Sequence, residues 1–381
     1  MKRAVEMETP FISVVITVLN MERTMPKCLD SLLEMSYPKD SYEIVIVDAG
    51  SRDKTVEIIK RYMEKTAKPQ ISLYFRKGWP AAGRNEALKH VKGEYIAVTD
   101  ADMVVSKDWL RDYVDKLTSL NDEKVAGIGG PNNTATDDLA SRSVSCLPTH
   151  GPTFDEVPVF GRNRYTKDFV TEDFIYATVC RNSFYRKKAI DEVGGFDERF
   201  FGAEDPELNR RLLDAGYKLA YTKKAAVRHH HHSTVRAFLR QQGKYALWQA
   251  VANRLHPKMG SKLHVLPFLG ALSFIGIAIL TALYHPLVYL VFAAILAVIA
   301  ALFAYGAKCA AAKKDAALIV SVPFFALLWQ LAWVYGYPAG VLQRKSLLAK
   351  PGAPKMPKPS EFSAHEKLAS DKTSKKAKVG E

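Results

Sequence analysis

The chain has 381 residues, with 54 Lys and Arg against 40 Asp and Glu and a formal net charge of +14. That length exceeds one small core, so two or more units are expected. Four scattered cysteines (Cys28, Cys146, Cys180 and Cys309), with no C-x-x-C, argue against a zinc site and a disulfide framework and fit a reducing compartment.

The first ten residues, MKRAVEMETP, carry charge but no apolar core of a signal peptide, so the N-terminal part of the chain is expected in the cytoplasm. Phe11 to Leu19 is an apolar, β-rich first strand, followed by Asn20 and a helix with Leu29, Leu32 and Leu33 on one side. Tyr42 to Val47 is a second strand, ending at Asp48-Ala49-Gly50-Ser51. Asp53 is a candidate N-cap for a helix over Thr55 to Lys65. Ile71 to Phe75 is a third strand, Pro80 to Val91 a loop and helix, and Tyr95 to Thr99 a fourth strand. Strands alternating with helices predict a mostly parallel sheet, whose ligands bind at the carboxyl ends of the strands. Asp48, Asp100 and Asp102 all fall there.

In an extended chain residues two apart share a side, so Asp100 and Asp102 are expected to leave the sheet as two carboxylates together. Such a pair suits a hard divalent cation, although Asp after a strand also makes ordinary turns. There is no G-x-G-x-x-G after the first strand and no G-x-x-x-x-G-K-[ST], so dinucleotide and P-loop readings lose their main support. Gly127-Ile128-Gly129-Gly130 precedes Pro131 rather than a helix, and reads as strand end and turn.

Taken in order, VVITVLN, IVDAGSRDKT, GWPAAGRNEAL and YIAVTDADM resemble the motifs of a family 2 glycosyltransferase with the GT-A fold. The match continues through Val179 to Arg186, GGFDERF (Gly194 to Phe200) and Glu204-Asp205, covering roughly residues 11 to 250. The resemblance implies a Rossmann-like, nucleotide-binding α/β catalytic domain over residues 1–233 with a mixed, mostly parallel sheet. It implies that Asp48 and Asp53 bind the nucleotide, with Asp53 also suited to the N-cap. It puts Arg84 in a loop facing the diphosphate, Asp100 near ribose or metal, and Asp102 on an Mn²⁺ or Mg²⁺ ion. Of the acidic pair, Asp205 is expected as general base and Glu204 as the alternative. Pro206 at the first helical position also makes Asp205 a natural N-cap. His229 to His232 follow a strand over Tyr221 to Val227, where the family often places a further metal ligand. His229 is expected in that role, with His231 sharing its face.

Gln241-Gln242-Gly243-Lys244-Tyr245 is a relaxed form of the Q-x-x-R-W of processive members, with Lys and Tyr replacing Arg and Trp. Residues 234–260 are amphipathic and basic, as in a helix lying on a membrane surface. A transmembrane helical domain is expected over 261–345, from apolar runs at Leu263 to Leu283, Leu287 to Tyr305 and Ala316 to Leu342. A connector with Lys308, Lys313 and Lys314 is expected on the cytoplasmic side. Residues 346–381 read as a disordered lysine-rich tail.

These features imply a multi-pass cell-membrane enzyme with its catalytic domain facing the cytoplasm. It would move a sugar, by inverting transfer, from a nucleotide-diphosphate sugar (GDP-mannose or UDP-hexose) to a lipid-linked or glycan acceptor. Mannose is favoured by analogy with lipid-linked mannosyl transfer. A processive polysaccharide synthase is the alternative within the family, and a non-catalytic membrane sugar-binding or scaffold protein the alternative of another class. Membrane lipids are expected partners. Nucleic acid is not, because much of the positive charge lies in the tail and near the membrane connectors.

Overall fold

The protein is described by a computed structural model covering residues 9–134, 138–147, 182–200, 202–229, 234–256 and 287–343, with strand pieces at 165–166 and 169–170 and single helical positions at 273, 276 and 279. Strands β1 (Ile12–Val18), β2 (Tyr42–Asp48), β3 (Gln70–Phe75) and β4 (Tyr95–Asp100) pair in parallel in the order β3-β2-β1-β4. The sheet continues through β10 (Ser183–Arg186), which runs antiparallel to β4 and to β6 (Val125–Gly129). Beyond β6 lie β11 (Lys218–Tyr221) and the short β9 (Phe169–Val170) and β8 (Tyr165–Thr166). The mixed, mostly parallel sheet expected from the alternating pattern is therefore present.

Why the strands read as continuous apolar runs is explained by their burial on both faces. Ile12, Val14 and Ile16 of β1 pack with Leu29 of α1 (Met25–Leu33), Ile59 of α2 (Thr55–Lys65) and Trp109 of α4 (Trp109–Leu120). Val15, Val45 and Val98 face the other side. There they meet Ala81 of α3 (Pro80–Leu88), Ile190 of α6 (Lys187–Glu192) and Leu208 of α7 (Glu204–Asp214). Each such side chain contributes about 1.5–3 kcal/mol on full burial. Close approach of α3 to β1 requires Gly83, since a Cβ there would stand 2.7 Å from Thr17 Cγ2.

A smaller sheet, β5-β12-β7, joins β5 (Met103–Val105), β12 (Val227–His229) and β7 (Asn132–Thr134). Helix α5 (Leu139–Val144) lies in a stretch expected to be loop; Asp138 caps it by accepting from Ser141 N–H at 2.7 Å. The N-cap expected at Asp53 shifts. Lys54 holds that position with no side-chain bond, while Asp53 accepts from Thr55 N–H at 3.0 Å.

Three helices complete the described chain: α8 (Val235–Leu255), α9 (Leu287–Lys313) and α10 (Leu318–Val341). The last two are long and apolar enough to cross a membrane. Apart from the helical positions 273, 276 and 279, the span expected at Leu263 to Leu283 lies outside the described residues, as does the lysine-rich tail. Lys308 and Lys313, expected in a connector, are inside α9, because the helix continues beyond the apolar run; Lys314 turns the chain at φ 53°. Helix α8 packs along α10. Cβ atoms at Gly336 and Gly340 would stand 2.5 Å from Gly243 O and 2.1 Å from Leu247 O, so only glycine permits this approach.

Candidate active site

Register builds the first half of the site. Val18 pairs with Asp48, and Thr17 with Asp100, so both carboxylates flank the carboxyl end of β1. Asp48 is buried. Its Oδ1 accepts from Gly50 N–H at 2.8 Å and Ser51 N–H at 2.9 Å, while its buried Oδ2 has no hydrogen-bond partner. Asp53 instead braces the loop after β1, accepting from Glu22 N–H at 3.1 Å. Burial opposes its charge, but hydrogen bonds from the Thr55 hydroxyl and from backbone amides outweigh it and hold the carboxyl below its ordinary range.

The second pair comes from the small sheet. Met103 of β5 pairs with His229 of β12, which sets His229 beside Asp102. His229 Nε2 lies 3.0 Å from Asp102 Oδ2. A buried thiol, Cys28, lies beneath and contacts the Asp100 carbonyl at 3.8 Å. Its pKa is raised first by burial and then by the charges of Asp102 and Asp100. Among the described residues no group of three or more His, Cys, Asp or Glu forms a ready metal cage. A carboxylate oxygen and an imidazole nitrogen nonetheless suit Mn²⁺, which needs only one or two such ligands when substrate phosphates supply the rest. His231 lies outside the described residues.

The third group differs from expectation. Arg84 does not stand in an open loop facing a diphosphate; it is buried in α3. Nη1 contacts Asp205 Oδ1 and lies 3.2 Å from Glu204 Oε1, while Nη2 lies 3.5 Å from Asp100 Oδ1. Its guanidinium also sits over the Phe196 ring at 5.3 Å. Burial lowers the Arg84 pKa, but Asp205, Glu204 and Asp100 outweigh it and leave the group above its ordinary value. A buried guanidinium needs such counter-charges, which explains its placement. Asp205 is not the N-cap either. The helix starts at Glu204, with Ala203 at the N-cap and Pro206 within the first turn. Gly202, at φ +97°, lets its N–H reach back to Glu204 Oε2 at 2.7 Å.

Two asparagines escaped the sequence reading. Asn85, next to Arg84, bonds both backbone groups of Phe196 at 2.8 Å and so clamps the Gly194-Gly195-Phe196 turn. Buried Asn182 accepts from Trp109 Nε1 and donates to the Pro131 and Ala225 carbonyls, tying β6 to the strand that carries His229. An amide inside a matched motif was the available signal for each.

An α/β sheet with carboxylates gathered at its carboxyl edge, followed by an acidic pair on a helix, defines a GT-A-type glycosyltransferase domain. The pattern of the family described as "Glycosyl transferase family 2" matches residues 13–194, and the chain carries a glycosyltransferase domain of that family. A dolichyl N-acetyl-alpha-D-glucosaminyl phosphate 3-beta-D-2,3-diacetamido-2,3-dideoxy-beta-D-glucuronosyltransferase of Methanococcus voltae is 26% identical over 62% of this chain and 71% of its own. Glycosyltransferase AglE of Haloferax volcanii is 26% identical over 56% of this chain and 64% of its own. Among solved structures, mannosyltransferase PcManGT from Pyrobaculum calidifontis, in complex with GDP-Man and Mn²⁺, superposes with a TM-score of 0.57 at 20% identity. That match covers 82% of this chain and 86% of PcManGT, and supports the fold.

Proposed function

We propose that the protein transfers a sugar from a nucleotide-diphosphate sugar to a hydroxyl of a membrane-associated, lipid-linked acceptor, with inversion at the anomeric carbon. The carrying observation is the Arg84 guanidinium, which joins the helix bearing Glu204 and Asp205 to Asp100 at the donor edge of the sheet. Base and donor are thereby held in one site. By its position in the matched acidic pair, Asp205 is assigned as the base, with Glu204 as the alternative. Asp205 takes the acceptor hydroxyl proton as that oxygen bonds to the anomeric carbon and the nucleoside diphosphate leaves.

Asp102 and His229 would hold a divalent cation, Mn²⁺ or Mg²⁺, which when bound offsets the charge of the leaving diphosphate. Asp48 reads the base. With Oδ1 committed to two backbone amides, one oxygen remains, which suits the single N3–H of uracil better than the two adjacent donors of guanine. We therefore favour a UDP-sugar over the GDP-mannose suggested by analogy. M. voltae's relative is named for transfer to a dolichyl-phosphate-linked sugar, which supports a lipid-linked acceptor. The processive alternative loses support, because Gln241 bonds Tyr245 at 3.1 Å and Gly243 lies under Tyr335.

Transfer of radiolabelled sugar from a panel of nucleotide sugars to a lipid extract tests the proposal. Asp102→Ala and Asp205→Asn should abolish it. Unchanged transfer in both would overturn it.

A further inference from the structure

The pairing of α8 with α10 bears on how the protein meets a membrane. Tyr335 Oη donates to Leu239 O at 3.0 Å, Asn253 Nδ2 to Tyr337 Oη at 3.0 Å, and Arg254 Nη1 to the Val341 and Gln343 carbonyls at 2.7 Å. Phe238 meets Phe325 edge-on at 5.3 Å. The sequence separation in the four hydrogen-bonded contacts stays between 84 and 96 from one end of α8 to the other. Separations that stay so nearly constant mean two parallel helices side by side over their full lengths.

Helix α8 carries Arg236, Arg240 and Lys244, exposed, at i, i+4 and i+8, on one flank. Arg236 and Arg240 have no carboxylate partner among the described residues. If α10 crossed a bilayer, α8 would cross beside it, because its 21 residues span about 31 Å, close to the hydrocarbon thickness. Those cations would then lie beside the middle of α10, in hydrocarbon, where exposed charge is strongly excluded. Helix α10 is apolar on its uncovered side, through Val320, Phe324, Leu327 and Leu331, and covered elsewhere by α8, α5 and the end of α9 around Gly306. Helix α9, by contrast, is exposed almost throughout its apolar length.

We infer that α10 does not cross the membrane. The α8–α10 pair lies in the plane of an anionic leaflet, with the uncovered stripe of α10 among acyl chains and Arg236, Arg240 and Lys244 at the headgroups. Charge complementarity selects anionic lipid as the occupant. The inference does not depend on the reaction proposed above.

Cysteines introduced one at a time as Lys314→Cys and Leu342→Cys, at the two ends of α10, test it in the full chain with Cys180→Ser and the buried Cys28, Cys146 and Cys309 left in place. In sealed inverted vesicles a membrane-impermeant maleimide should label both from the same side. Labelling of Leu342→Cys only after permeabilisation would overturn the inference. A second measurement uses nanodiscs carrying a photoactivatable phosphatidylglycerol or its phosphatidylcholine counterpart. The anionic probe should label α8 preferentially, and each of Arg236→Gln, Arg240→Gln and Lys244→Gln should cut that preference about fivefold, or about 1 kcal/mol per cation. Equal labelling by both headgroups would remove the lipid assignment.

Discussion

Arg84→Met removes the charge at the centre of the site and keeps most of the side chain's packing against Phe196. In the wild type one guanidinium, 3% exposed, serves Asp205, Glu204 and Asp100. Glu204 and Asp205 are themselves buried, at 8% and 5% side-chain exposure, so the variant leaves two carboxylates without their counter-charge. Breaking a buried pair from one side costs about 3–5 kcal/mol. For a domain of this size each kcal/mol moves Tm by about 2–4 °C, so a fall of about 10 °C is expected. Thermal unfolding in detergent measures it. Arg84→Lys should fall between, because a point charge cannot match the fork that reaches Asp205 and Asp100 together. Adding Asp205→Asn to Arg84→Met should recover part of the loss, since removing both partners costs less than removing one. A Tm within about 2 °C of wild type for Arg84→Met, or strictly additive losses in the double variant, would refute the reasoning.

Asp48→Asn replaces an open acceptor oxygen with an amide, and should weaken UDP binding by about 1.5–3 kcal/mol, read as a reduced ligand-induced Tm shift with uridine nucleotides. Glu207, fully buried in α7, is pushed up by desolvation but held below its ordinary value of 4.5 by hydrogen bonds from His256 and Arg211. A depressed carboxyl contributes stability above its unfolded pKa and loses it as pH falls through the folded one, so wild type should lose more Tm between pH 6 and about pH 3.5 than Glu207→Gln. Gly340→Val places a Cβ 2.1 Å from Leu247 O and should cost about 1–3 kcal/mol by forcing α8 from α10, measurable as a lower Tm in detergent.

Local signals carried the strands and the acidic positions, and distant partners did not. Tyr42 to Val47 could be read as a strand because burial on both faces leaves an unbroken apolar run, and Asp48 and Asp100 followed from where those runs stop. Arg84 could be singled out from its motif but not as a buried residue, since Glu204 and Asp205 lie 120 and 121 residues further along. The N-cap reading of Asp205 failed on two residues of helix length: Pro206 tolerates the third position as well as the first, and Gly202 lets Glu204 close the helix end itself. Helix α5 was too short, at six residues, to show a period. The glycines Gly336 and Gly340, four apart in an apolar helix, were an available signal for close helix packing.

The same packing ties the chemistry to the C-terminal apolar helices from two directions. From His229 the chain passes within a few residues into α8, which lies along α10. From β7, beside His229 in the small sheet, it passes into α5, where Ser143 Oγ bonds Ser321 Oγ at 2.7 Å and Arg142 Nε bonds Asp315 Oδ2 at 2.8 Å. Both connections end on α10 or the turn before it. A shift of α10 relative to the sheet therefore strains β7 and β12 together, and through the β5–β12 pairing it also reaches Asp102, which joins β4 to β5. On this geometry the seating of α10 bears on the Asp102–His229 pair. Gly340→Val should consequently raise the Mn²⁺ concentration needed for half-maximal transfer, whereas a destabilising change remote from α8 and α10, such as Ile59→Val in the core beneath α2, should lower Tm without moving that concentration. Equal metal requirements in the two variants would show that the α8–α10 pair only anchors the enzyme.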